Sequence, residues 1–213
     1  MTVDFAIRRG LGTALTAAGV ATLLLLTGCA STLDPEEARQ SLSDVTEDPA
    51  PPAADEIYDA TLHPDPVVEP QDCAAVLVIT ARGTGEPTKG QLLSPVARAV
   101  TKEWPDDVTS VDLDYPADTD VKEGGTRGVR LLIDTLNVQS EACPDQQTVL
   151  LGYSQGAMVI GDALVQPEDR MIGATVGELT ESARDQVLAV VLYGDPRFEG
   201  DEPFNIGSFD AAL

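Results

Sequence analysis

Thr148-Val149-Leu150-Leu151 runs straight into Gly152-Tyr153-Ser154-Gln155-Gly156, and that pentad into Ala157-Met158-Val159-Ile160-Gly161-Asp162-Ala163-Leu164. The first four residues read as a short buried strand and the last eight as a buried helix. A G-x-S-x-G turn between such a strand and such a helix is tight enough to strain its serine and lift the hydroxyl clear of the sheet top. Side chains at the flanking glycines would collide with the neighbouring strand or helix. Ser154 is therefore a candidate nucleophile. Such a serine needs a histidine base, and the one histidine of the sequence, His63, lies far upstream.

The pattern around this turn repeats. Val76-Leu77-Val78-Ile79-Thr80 is a continuous apolar run, the mark of a strand covered on both faces. Residues 91–104 have a helical pattern, with Leu92, Val96, Ala99 and Val100 on one side and Pro105 as a stop. Residues 108–115 read as a second strand, and residues 128–138 as a second helix with Val129, Leu132, Ile133 and Leu136 inward. Residues 187–193 form the last clear strand, closed by Gly194-Asp195-Pro196. Strands alternating with helices imply an α/β fold, a three-layer sandwich with a central parallel sheet.

Upstream of this domain the composition changes. Arg8-Arg9 followed by the apolar run from Leu11 to Leu26 reads as an export signal, shorter than the roughly 20 apolar residues of a spanning helix. Leu26-Thr27-Gly28-Cys29 resembles a bacterial lipobox, so Cys29 is the expected lipidation site and residues 1–28 a signal peptide. The same cysteine could also be incidental to an ordinary cleaved signal. Residues 29–72 are expected to form an acidic, proline-rich tether: from residue 30 they hold seven of the 15 prolines and twelve of the 36 acidic residues, against Arg39 as the one Lys or Arg. Such a segment buries too little apolar surface to offset its ordering entropy and is expected to stay extended. His63 lies in it, so a solvated role is the expectation for that imidazole. The folded domain is then 73–213.

A formal charge of −23 excludes nucleic acid and anionic lipid as electrostatic partners. With Cys29 set aside, Cys73 precedes the first strand and Cys143 the elbow strand. Adjacent parallel strands would bring the two together, and export favours a disulfide over two unrelated buried thiols. One histidine and a cysteine pair leave no ligand cluster, so no cofactor or metal is expected.

Cys73, the run Val76 to Ala81 with Arg82-Gly83-Thr84-Gly85-Glu86, Cys143 before Gly152-Tyr153-Ser154-Gln155-Gly156-Ala157, and Leu192-Tyr193-Gly194-Asp195-Pro196-Arg197 together resemble the cutinase family, especially its actinobacterial branch. The resemblance covers residue 73 to about residue 210. It implies a lidless α/β-hydrolase that hydrolyses esters of lipid-like or polymeric substrates, as a monomer and without a cofactor. Ser154 matches the nucleophile, and the backbone N–H groups of Gln155 and Thr84 match the oxyanion donors. Arg82 and Glu86 flank the oxyanion loop and hold its shape. In the family the catalytic acid lies in a later C-x-x-x-D-type disulfide loop and the histidine follows it; Leu213 precedes both segments. Asp195 stands near the right edge, but the family's Gly-Asp-Pro position is not the triad acid. Two readings follow: a lipid-anchored serine esterase whose sequence is C-terminally truncated, or a catalytically dead lipoprotein of the same fold that binds acyl chains or glycolipids.

Overall fold

The computed structural model describes residues 52–207. The signal, Cys29 and the first part of the expected tether lie outside the described residues. The elements run α1 (Pro52–Ile57), β1 (Val76–Ala81), α2 (Ser94–Glu103), β2 (Val108–Asp112), α3 (Val121–Ala142), β3 (Gln147–Tyr153), α4 (Gln155–Leu164), a single 3₁₀ turn (Pro167–Asp169), α5 (Glu181–Asp185) and β4 (Val187–Tyr193). The four strands form one parallel sheet in the order β2-β1-β3-β4. β1 and β3 are thus central and apolar on both faces, as their unbroken hydrophobic runs require.

Each face of the sheet carries its own core. On one side Val78, Val108 and Leu151 pack with Leu93 and Ala97, residues from α2 and the turn before it. On the other, Leu77, Ile79 and Leu150 pack with Val129, Leu132, Ile133 and Leu136 of α3 and Met158, Val159 and Ile160 of α4. This is the three-layer α/β/α architecture expected from the sequence. Among the described residues β4 is an edge strand, and its side chains stay largely open to solvent, Leu188 at 58%.

Three expectations change. The inward side of α2 is Leu93, Ala97 and Val100, while Leu92, Val96 and Ala99 face outward. Both stripes have helical spacing and three apolar residues each, so the pattern alone does not choose between them; Ser94 and Gln91 are buried as well. Helix α3 starts seven residues earlier than expected, because Asp120 caps it by accepting from the Glu123 N–H. Its glycines also allow close packing: a Cβ on Gly125 would sit 2.4 Å from Ile172 Cδ1.

The third change concerns the expected tether, since residues 52–72 are docked on the domain. Ala54 is buried and Tyr58 packs against the larger core. The buried Arg130 of α3 donates to the carbonyls of His63 and Asp65, and Asp134 accepts from the Val67 N–H. Composition missed this because the docking partners belong to α3: a charged pair, Arg130–Asp134, that satisfies backbone groups of an otherwise polar segment.

Cys73 and Cys143 form a disulfide with Cα atoms 5.5 Å apart, joining the starts of β1 and β3 across 70 residues of chain. Cys73→Ser is expected to destabilise the domain by about 2–5 kcal/mol. Urea unfolding of the oxidised protein and the variant checks this; equal midpoints would show that the bridge constrains nothing the fold does not already fix.

Candidate active site

β3 ends at Tyr153, α4 begins at Gln155, and Ser154 is the single residue between them. Its backbone sits at φ 52°, ψ −117°, a left-handed conformation that a residue with a side chain rarely adopts. The Ser154 N–H donates to Tyr193 O at the end of β4, while its own carbonyl accepts from Ala157 and Met158. The strain is held by the sheet on one side and the helix on the other. Both flanking glycines are needed. A Cβ on Gly152 would lie 2.8 Å from Ala157 Cα, and one on Gly156 would lie 2.1 Å from Ala81 O.

The loop after β1, residues 82–86, lies against this elbow. A Cβ on Gly83 would sit 2.7 Å from the Tyr153 ring and 3.3 Å from Ser154 Cβ, so the residue before Thr84 lies close beside the elbow. Glu86 staples the loop: its carboxylate accepts from the Gly83 N–H and the Leu92 N–H, both at 2.7 Å. Arg82 is buried and donates to the carbonyls of Leu113, Tyr115 and Pro116, while the Tyr115 hydroxyl donates back to Arg82 O. The guanidinium also lies 5.0 Å from the Tyr115 ring centroid. Burial pushes the Tyr115 phenol well above its usual range, against the opposing pull of the Arg82 charge. It therefore stays a neutral donor.

Behind the elbow, Asp162 of α4 is buried and accepts from the N–H groups of Met171 and Ile172 and from Arg197 at 2.7 Å. Burial raises its carboxyl above the ordinary carboxylate range, partly offset by those N–H groups and by Arg197. This pair ties the segment after β4 to the elbow helix. Sequence reasoning passed over it, although an acid within an apolar helix is a visible signal.

The structure thus brings Ser154, Gln155 and the Thr84 loop together and leaves His63 elsewhere. His63 is exposed, on a turn whose hydrogen bonds go to Asp59 and Arg130. Asp195 accepts from the Arg197 N–H in its own turn. Among the described residues no group of three or more His, Cys, Asp or Glu side chains is placed to hold a metal ion.

A serine strained at the top of a parallel strand, with helices on both faces, defines the α/β-hydrolase class. The model of the cutinase family matches residues 72–210, and the chain belongs to that family. It is 29% identical over 155 residues to Cutinase 11 of Verticillium dahliae, covering 68% of this chain and 52% of that protein. To a cutinase of Kineococcus radiotolerans it is 37% identical over 127 residues, covering 58% and 42%. Among solved structures, the catalytic core domain of acetyl xylan esterase from Trichoderma reesei superposes with a TM-score of 0.56 at 29% identity, over 64% of this chain and 71% of that one. The chain spans about half the length of the curated relatives it matches.

Proposed function

We propose that this chain carries the nucleophile and oxyanion hole of an exported serine esterase that hydrolyses carboxylic esters of lipid-like or polymeric substrates. The observation that carries the reading is the strained Ser154 at the β3–α4 junction, a conformation with no use in a turn that only reverses the chain. Ser154 Oγ attacks the ester carbonyl, and the N–H groups of Gln155, at the start of α4, and of Thr84 stabilise the oxyanion. Leu92, exposed and bonded through its N–H to Glu86 of the loop after β1, offers apolar surface that suits a lipid-like substrate. The relatives' names, cutinase and acetylxylan esterase, support ester hydrolysis and leave the alcohol and acyl parts open.

Attack needs a base, and His63 is not beside Ser154. That favours, as a second reading, a lipoprotein that keeps the fold to bind acyl chains or glycolipids. The discriminating test joins the chain to the aspartate- and histidine-bearing segment of a cutinase. Hydrolysis of p-nitrophenyl butyrate that depends on Ser154 supports the esterase; a folded, inert product supports the binding protein.

The reading also places the protein at the outer face of the cell membrane, held by lipid on Cys29, as a monomer with residues 1–28 removed. Its support is the Leu26-Thr27-Gly28-Cys29 motif. Cys29→Ala is expected to move the protein from membrane to soluble fractions, since several acyl chains anchor stably where one is marginal. Equal membrane recovery of the variant would count against lipidation.

A further inference from the structure

The two oxyanion donors belong to different parts of the chain, and something must fix the distance between them. The loop between β2 and α3 reaches both. On the side of Thr84, Arg82 donates to the carbonyls of Leu113, Tyr115 and Pro116, and the Gly85 N–H donates to Ala117 O at 2.7 Å. On the side of the elbow, the Gln155 side chain donates through Nε2 to Asp118 O at 3.2 Å. Asp120 then caps α3 and ends the loop. Consecutive carbonyls of one loop thus hold the residues that bracket Thr84 and the residue that follows Ser154.

We propose that this loop, residues 113–120, is the spacer that sets the oxyanion hole, and that Gln155 acts through it as a positioning residue by its side chain while its backbone N–H serves as donor. The proposal rests on the serine-esterase reading of Ser154. Two features of the loop support it. Ala117 is buried in the left-handed region at φ 48°, a strained state for a residue with a Cβ, and this conformation belongs to the residue whose carbonyl takes the Gly85 N–H. Gln155 is fully buried, yet its Oε1 has no partner. A side chain that only filled the volume would be Met or Leu and would avoid burying an unpaired acceptor. The amide is explained by what its nitrogen holds.

The test compares the residual hydrolysis of p-nitrophenyl acetate and of its thionoester by the 213-residue chain. A well-placed hole stabilises a developing O⁻ far better than a developing S⁻, so the oxo-to-thiono rate ratio reports hole geometry and not general folding. Gln155→Met is expected to lower the oxo-ester rate about tenfold, with the thionoester rate changed by less than about twofold and the melting temperature held. Gln155→Asn, which keeps the amide but draws it back by one carbon from Asp118 O, is expected to lower the ratio in the same direction, and it decides the matter if Gln155→Met does not fold. A high ratio in the parent chain that neither variant changes overturns the spacer and leaves Ser154 and Thr84 in their roles. A parent ratio no higher than that of the uncatalysed reaction overturns both.

Discussion

Joined in frame to a segment with an aspartate in a disulfide loop and a histidine after it, the chain is expected to hydrolyse p-nitrophenyl butyrate about 10³-fold faster or more than it does alone. The magnitude follows from how triads work. Their members act as a unit, so a serine without its base retains little beyond the roughly 10³–10⁴-fold over water that the oxyanion hole and binding give. On the esterase reading, the preorganised half is the part that this chain carries. Ser154 is held in its strained conformation, Gln155 starts α4, and the loop after β1 lies close beside the elbow. His63, the one histidine, sits in a turn bonded to Asp59 and Arg130, so on that reading the added segment supplies the proton acceptor. Ser154→Ala in the joined protein should remove the whole gain. The same junction has a structural readout. β4 presents Leu188, Val190, Val191 and Tyr193 to solvent on an edge strand, so a segment that covers it should raise the melting temperature by removing apolar surface from water. A joined protein that folds and melts higher, yet hydrolyses no faster, would sink the esterase reading while leaving the fold intact.

The elbow was legible because its constraints are local. A strand run, two glycines, a serine and a helix run specify the turn, and the structure adds only that the glycine contacts are with Ala157 and with the backbone of Ala81 and Arg82. The parallel sheet was legible for a related reason: unbroken apolar runs such as 76–80 and 187–193 leave few alternatives. The face of α2 was not, because Leu92, Val96 and Ala99 are apolar at helical spacing and yet point outward; periodicity gives a stripe and not its partner. Docking of residues 52–72 was hidden for the opposite reason. Its partners, Arg130 and Asp134, read as an ordinary i,i+4 pair on a helix surface, and only the tertiary arrangement shows that they bind backbone groups of a segment about 65 residues upstream. The β2–α3 loop as a connection between two candidate donors was equally invisible, since it is made of carbonyls, which every residue has.

Gly156→Ala should be the most damaging glycine-to-alanine change among the described residues. The added Cβ would lie 2.1 Å from Ala81 O, 2.4 Å from Ala81 C and 2.7 Å from Arg82 O. All three are backbone atoms, so no side chain can rotate away; either the start of α4 lifts from the sheet or the end of β1 moves outward. Both routes are costly. Lifting α4 uncovers Met158, Val159 and Ile160, which are fully buried, and moving β1 displaces the loop that carries Thr84 away from the elbow. Overpacking of a dense core costs about 1–3 kcal/mol where side chains can adjust, and here they cannot, so a loss of about 3 kcal/mol or more is expected. Gly124→Ala is the matched comparison. It adds the same methyl in the first turns of α3, where the nearest atom, at 3.0 Å, is the Asp118 carboxylate oxygen, at the far end of a side chain. Replacing a helical glycine there should be neutral or stabilising by up to about 1 kcal/mol. Urea unfolding of both variants measures the contrast. If Gly156→Ala unfolds at the parent's midpoint, then α4 and β1 are not in the close contact described, and the placement of the loop after β1 against the elbow falls with it.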